Sequence, residues 1–182
     1  MPDNVYTIVE STETTIRLQR AATSSGSSST RTLEECMGKS IDEFCPNGYT
    51  STEHSHCAHF VSHYKGYSFG HKCRGQTDRG PEPGATIRVN EIFEQCPEVG
   101  KWSDKRADLE ACLAFVTHVS NVNIGRKYMS DHPRKHIGIF SSGMIYHYSN
   151  SKDEVVKQTP EEFKKHYPGD GIEVFYGTFP NQ

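Results

Sequence analysis

The chain has no apolar run long enough to cross a membrane and no excess of positive charge. Its 182 residues carry 20 Lys and Arg against 23 Asp and Glu, a formal net charge of −3. A membrane-spanning helix needs about 20 consecutive apolar residues, and a general nucleic-acid binder needs a strongly basic face. The sequence therefore predicts neither membrane insertion nor nucleic-acid binding.

Two further patterns are missing. Residues 1–15 (MPDNVYTIVESTETT) contain no basic segment followed by an apolar one, as a Sec signal peptide requires. We therefore expect a protein that is cytoplasmic or is exported by a non-Sec route. The cysteines include no C-x-x-C pair, so neither a zinc ribbon nor a thioredoxin-type site is indicated.

What the chain has in quantity is histidine and cysteine, with ten and six residues respectively. Five of the cysteines lack any catalytic setting, and we interpret them as small buried residues: Cys36, Cys45, Cys73, Cys96 and Cys112. If the protein is exported, a disulfide between Cys36 and Cys45 or between Cys96 and Cys112 is an alternative, because spacing alone does not determine the pairing.

The organisation predicted along the chain is one α+β domain. Residues 1–31 form an N-terminal extension that ends in a Ser-rich linker, and residues 32–182 form the domain. Helices are predicted at 32–44 (with a break near Gly38), 55–65, 90–96 and from the Thr159 cap to about Tyr167. A Gly- and Pro-rich loop is expected at 74–84, and strands at 85–89, 112–119, 136–140, 144–149 and 172–179.

One cysteine has the surroundings of a nucleophile. Cys57 lies near the start of the helix predicted at 55–65, where the helix dipole and free N–H groups lower the pKa of a thiol. His136 begins one predicted strand and His147 lies on the next, after a Ser142-Gly143 turn. A loop of two or four residues would put both histidines on one face of the sheet, and a loop of three would separate them.

Two segments together resemble the NlpC/P60 and CHAP group of papain-like cysteine hydrolases. They are HCAHFVSH (56–63) and HIGIF…MIYHYSN (136–150). The group has a Cys at the N-terminus of a helix within a C-x-x-F-V segment. A His-hydrophobic-Gly-hydrophobic strand follows, and a polar residue lies about eleven positions further on. CAHFV is also similar to the lecithin:retinol acyltransferase group, but there the His precedes the Cys.

The resemblance implies a nucleophile helix packed on an antiparallel sheet and a Cys-His-His site. Cys57 would be the nucleophile, His136 the base and His147 the orienting residue, with Asn150 as the alternative third residue. His56 and Tyr49 would help to bind the substrate. The implied activity is hydrolysis of amide bonds in peptidoglycan peptides, as an amidase or endopeptidase, without a metal or organic cofactor.

A small amidase of this kind without a Sec signal fits a lysin or an exported effector. Effectors usually have a cognate inhibitor (immunity) protein, which is therefore a candidate partner. Basic residues near the His136 strand could attract the carboxylates of a stem peptide: Arg126, Lys127, Arg134 and Lys135. The scissile bond and the oligomeric state are not determined by the sequence.

Three other interpretations fit the same residues. An acyltransferase or thioesterase-like enzyme could use the same residues, and an inactive binding module could share the fold. A metal site is suggested by His59 and His63, which have the i, i+4 spacing of helical zinc ligands. No Glu follows the first of them as in H-E-x-x-H, so no metal is expected, and both are predicted on the exposed side of the helix.

Overall fold

The computed structural model describes residues 31–181. Residues 1–30 of the predicted extension and Ser-rich linker lie outside this range, including residues 5–20, whose Thr, Ile and Val content predicts one or two short strands. Within the described part, α-helices and strands alternate irregularly. The helices are α1 (Cys57–Lys65), α2 (Cys73–Thr77), α3 (Val89–Gln95) and α4 (Pro160–Lys164). Not one of them is long and apolar enough to span a membrane.

Six strands form one antiparallel sheet, in the order β1-β8-β2-β5-β6-β7. The strands of the sheet are β1 (Val99–Lys101), β2 (Ala111–His118), β5 (Lys135–Ser141), β6 (Met144–Ser149), β7 (Glu154–Gln158) and β8 (Ile172–Gly177). A separate hairpin pairs β3 (Val122–Asn123) with β4 (Tyr128–Met129). The chain is therefore an α+β fold built on an antiparallel sheet, as predicted.

The central strands are buried on both faces because helices cover both. Leu113 and Phe115 of β2 pack in one core with Phe60 of α1. Ala114, between them in sequence, points to the other core, where Phe163 of α4 lies. Successive side chains of a strand alternate between faces, so α1 covers one face of the sheet and α4 covers the other.

Several elements match their predictions closely. α1 begins at Cys57 and ends before Gly66, whose left-handed φ of 74° supplies the C-cap. The cap of α4 is confirmed as a capping box. Thr159 Oγ1 accepts from the Glu162 N–H, and Glu162 Oε2 accepts from the Thr159 N–H. α4 ends at Lys164, one turn earlier than expected.

Other predictions were wrong. Residues 85–89 do not form a strand, because only Thr86 pairs, in an isolated bridge with Lys72. The helix expected at 32–44 is two 3-10 turns, Glu34–Cys36 and Ile41–Glu43. Gly38, at a φ of 72°, separates them. Strand β7 (Glu154–Gln158) was not predicted.

Candidate active site

The β5–β6 hairpin brings two histidines together. Its loop is Ser142-Gly143, and both residues have positive φ, 51° and 82°, as a two-residue type I′ turn requires. Ser141 pairs with Met144 across the loop. This is the two-residue loop that puts His136 and His147 on one face, and His136 Nε2 lies 2.9 Å from His147 Nδ1.

Gly138 leaves room for that approach. A Cβ built on it would lie 2.8 Å from the Tyr146 carbonyl oxygen and 3.0 Å from His147 Cβ. Real Cβ atoms are not found in contact this close with backbone, so a larger residue would push β6 away from β5. Close packing of β6 against β5 therefore requires glycine at position 138 of the His-Ile-Gly-Ile strand.

A third residue extends the hydrogen-bonded pair of His136 and His147. Gln158 Oε1, on β7, lies 2.8 Å from His147 Nε2. With this orientation of the amide, His147 Nε2 must donate, so its Nδ1 accepts from the His136 Nε2–H. His136 Nδ1 is then the unprotonated ring nitrogen, and among residues 31–181 it makes no hydrogen bond.

Cys57 is the first residue of α1, and its side chain is 2% exposed. Its sulfur lies 3.4 Å from Ser55 Oγ. The backbone N–H of Ile137 also reaches it, so the sulfur lies beside the residue that follows His136. Burial raises the pKa of the thiol, and the hydrogen bonds from Ser55 and from backbone N–H groups oppose the effect in part. At neutral pH the side chain is a thiol.

Burial also keeps the histidines neutral. It lowers the pKa of His136 well below the usual range, and nearby His147 and His166 add to the effect. The pKa of His147 falls to about 4, again mainly through burial. The His166 ring stacks on that of His136 with centroids 3.9 Å apart and planes 17° apart. The His136 imidazole therefore contacts the rings of both His147 and His166.

A cavity of about 590 Å³ opens beside Cys57 and His136. Its wall is polar or charged over much of its extent. The described residues that line it are Ser55, Cys57, Ile87, Arg88, Val89, Asn90, Asp131, Pro133, Lys135, His136, Ser149, Asn150, Ser151, His166 and Tyr167. His166 and Tyr167 were missed by the sequence analysis. Their only signal is that they directly precede the Pro168-Gly169 stop after the α4 pattern.

Two residues predicted to bind substrate are elsewhere. His56 is buried, with Nε2 2.9 Å from the Ser51 carbonyl oxygen. Tyr49 stacks on His54 with ring centroids 4.8 Å apart. Neither His56 nor Tyr49 is among the described residues that line the cavity. The rings of both residues instead contact the ring of His59.

Asn150 lines the cavity but does not contact His136. Its Oδ1 accepts from the His56 N–H at 3.1 Å, and its Nδ2 donates to the His54 carbonyl at 3.2 Å. Asn150 follows β6 directly, so these two bonds connect the end of β6 to residues 54–56, which precede α1. Of the two candidates for the third position, His147 is the one that contacts His136.

Of the four basic residues expected near the site, Lys135 alone is among the described residues that line the cavity. Its Nζ lies 2.7 Å from Asp131, which is also 3.3 Å from an Arg88 nitrogen. Lys127 instead donates to the Cys96 carbonyl. The charge at the cavity therefore comes from Arg88, Asp131 and Lys135.

The prediction that His59 and His63 face solvent was wrong. His59 is fully buried and His63 is half-buried, because the 45–49 segment and the loop after α1 cover that face of the helix. Cys45 and Cys73 meet them there, and the four side chains could hold a metal ion. All six cysteines lie in the described residues and are free thiols.

A scan against protein-family models, a search of curated proteins and a search of solved structures found no match for this chain. What the site can do therefore rests on its own geometry and chemistry.

Proposed function

We propose that this protein is a papain-like cysteine hydrolase of the NlpC/P60 and CHAP type that cleaves amide bonds in peptidoglycan peptides. The observation that carries the proposal is the hydrogen-bonded series Gln158–His147–His136, which leaves Nδ1 of His136 unprotonated at a cavity that Cys57 also lines. A nucleophile, a base and a group that orients the base are the parts that covalent cysteine catalysis needs.

Acylation begins from neutral partners. His136 Nδ1 takes the proton of the Cys57 thiol as the sulfur attacks the substrate carbonyl, and the carbonyl oxygen becomes an oxyanion. Backbone N–H groups at the start of α1 are the donors available to that oxyanion. As the C–N bond breaks, the proton passes from His136 to the leaving amine, and a thioester remains on Cys57.

Deacylation uses the same base. His136 Nδ1 removes a proton from water, which attacks the thioester carbonyl. The Cys57 sulfur leaves and takes the proton back, so the acid product and the free thiol form together. The stacked His166 ring and the bond to His147 hold the imidazole in one orientation through both steps, which limits the reorganisation each step requires.

The charges at the cavity support a peptide substrate. Arg88 and Lys135 flank Asp131, so the wall offers both cationic and anionic groups. Stem peptides of the bacterial wall carry free carboxylates and amino groups that such a wall can pair.

Digestion of purified peptidoglycan tests the proposal directly. Wild-type protein is expected to release new muropeptides, identified by mass spectrometry, and Cys57→Ala is expected to release none. Cys112→Ala is the matched control, since it removes a buried thiol from β2 and should leave the products unchanged. If Cys57→Ala releases the same new muropeptides as wild type, the proposed nucleophile is wrong.

A negative digestion has two distinct meanings that thiol mapping separates. If the protein leaves the wall intact but Cys57 is alkylated rapidly at neutral pH, the protein remains a candidate hydrolase and the proposed substrate is wrong. If Cys57 is as unreactive as Cys112, the hydrolase proposal is wrong and an inactive binding module is supported.

Gln158 is expected to act as a positioning residue. Gln158→Leu removes the acceptor that fixes the tautomer of His147, so His136 no longer holds its lone pair on Nδ1 in every molecule. We expect kcat to fall about tenfold to a hundredfold with little change in KM, by analogy with the loss of other orienting partners. Gln158→Glu keeps the acceptor and should retain more activity than Gln158→Leu. Equal activity of the two variants would contradict this role.

A further inference from the structure

On the far side of α1 from the cavity, four metal-ligating side chains meet. Their donor atoms, two thiol sulfurs and two imidazole nitrogens, all lie within 4.8 Å of one another. In a tetrahedral zinc site with Zn–S of about 2.3 Å and Zn–N of about 2.0–2.1 Å, neighbouring donor atoms are about 3.3–3.8 Å apart. The two imidazole Nε2 atoms are 3.0 Å apart and the Cys73 sulfur lies 4.0 Å from His63 Nε2, so the observed spacings fall on both sides of this range.

We infer that Cys45, His59, His63 and Cys73 bind one Zn²⁺ ion as a closed Cys₂His₂ site. Two thiolates and two imidazoles around a tetrahedral centre are the donor set that suits zinc among the divalent metals. The site is independent of the proposed hydrolase activity and stands on its own contacts.

Secondary structure places the four ligands. His59 and His63 are one turn apart on α1, so their rings lie on one face, with Nε2 atoms 3.0 Å apart. Cys45 follows the 3-10 turn Ile41–Glu43, and Cys73 is the first residue of α2. The Cys73 sulfur lies 4.0 Å from His63 Nε2.

Outer hydrogen bonds fix the tautomer that ligation needs. The Ser51 carbonyl can only accept, so His56 Nε2 donates to it at 2.9 Å. Neutral His56 then accepts at Nδ1, and His59 Nδ1 is the donor at 3.2 Å. The lone pair of His59 is therefore on Nε2, the atom that faces the other three ligands. A ligating His whose other nitrogen donates to a polar partner is the usual arrangement at metal sites.

One backbone donor supports a thiolate at Cys73, because the fully buried sulfur accepts from the Ala85 N–H at 3.2 Å. The Cys73 S–H in turn donates to Asn47 Oδ1 at 3.4 Å, and this is the proton that a metal ion would displace. A metal ion would balance the negative charge that two buried thiolates bring, and without it such burial is costly.

The expected role of the ion is structural. All four protein ligands together fill a tetrahedral site and leave no open position. Among the described residues, those that line the Cys57 cavity include none of the four. The ion would join the 45–49 segment and the loop after α1 to the helix that presents Cys57, two residues before His59.

Metal analysis of the full-length protein, purified without chelators, tests this inference. We expect about one zinc per chain in wild type, and a loss of nearly all of it in Cys45→Ser and Cys73→Ser. Cys112→Ser is the control that should keep its zinc. Folded wild type that stays metal-free after dialysis against Zn²⁺ would overturn the inference, as would a Cys45–Cys73 disulfide found by mass mapping of the protein as purified.

Two measurements avoid variants that fail to fold. Replacement of the metal by Co²⁺ in wild type is expected to give the visible absorption of tetrahedral cobalt together with a thiolate charge-transfer band, and octahedral cobalt spectra would contradict the site. His56→Leu keeps all four ligands but removes the partner of His59, and is expected to weaken zinc affinity about 10–100-fold. Unchanged affinity in that variant, with Co²⁺ bound octahedrally, would place the metal elsewhere.

Discussion

Replacing His136 by Gln is expected to lower kcat for amide hydrolysis by about 10²–10⁴-fold, the usual contribution of a general base. The reason is the charge state of the site. Burial raises the pKa of the Cys57 thiol and lowers that of His136, so there is little preformed thiolate, and each turnover needs the imidazole to remove the proton. Glutamine keeps a polar group of similar reach but cannot accept the proton.

A substrate-independent readout makes this prediction sharper. The rate of Cys57 alkylation at neutral pH, followed by peptide mapping, should fall in His136→Gln together with kcat. His132→Gln is the matched control, because His132 is an exposed histidine just before the same strand. An alkylation rate that is the same in His136→Gln as in wild type would show that His136 is not the base for this thiol.

Acid is expected to destabilise the fold as the pH falls from about 6.5 to about 4. The pKa of His147 in the folded protein is lowered to about 4 by burial, whereas in an unfolded chain it is near 6.5. Between these values the unfolded chain binds a proton that the folded protein does not, so the free energy of unfolding rises with pH and is lost as pH falls. This histidine alone contributes roughly 3 kcal/mol, and His136 acts in the same direction.

Urea denaturation at a series of pH values measures this effect. The midpoint for wild type should fall steeply between neutral pH and pH 4. His147→Gln carries no titrating group at this position, so its midpoint should depend less on pH, although it starts lower at pH 7. His132→Gln should run parallel to wild type. If wild type and His147→Gln lose stability in parallel, His147 is not the acid-sensitive group.

Local sequence signals predicted the elements that carry the proposed nucleophile and base. α1 has an apolar face and a glycine that can take the left-handed C-cap, and it begins at Cys57. Ser142-Gly143 can adopt the two positive φ angles of a tight turn, and that turn sets the register of His136 and His147. These signals act over a few residues, so they can be interpreted without knowing the rest of the fold.

Gln158 could not be found in the same way. The segment EVVKQ (154–158) has few apolar residues, and among the described strands β7 lies at the edge of the sheet, paired with β6. Its glutamine matters only through the β6–β7 register, which pairs Val156 with His147 and so places Gln158 diagonally across from it. His166 likewise became part of the site only when α4 packed on the sheet.

The sequence by itself determined the α+β class, a helix with Cys57 near its start and a turn at Ser142-Gly143, because caps, turn residues and periodicity are local. The two-residue loop that brings His136 to His147 was one of the loop lengths that the sequence left open. Only the tertiary structure decided which polar residues complete each site. Cys45 and Cys73 are 28 positions apart and fit no short motif, yet loops that fold over one face of α1 bring them to His59 and His63. Long-range packing of this kind has no signature in the spacing of residues, since it depends on how the loops close over the helix.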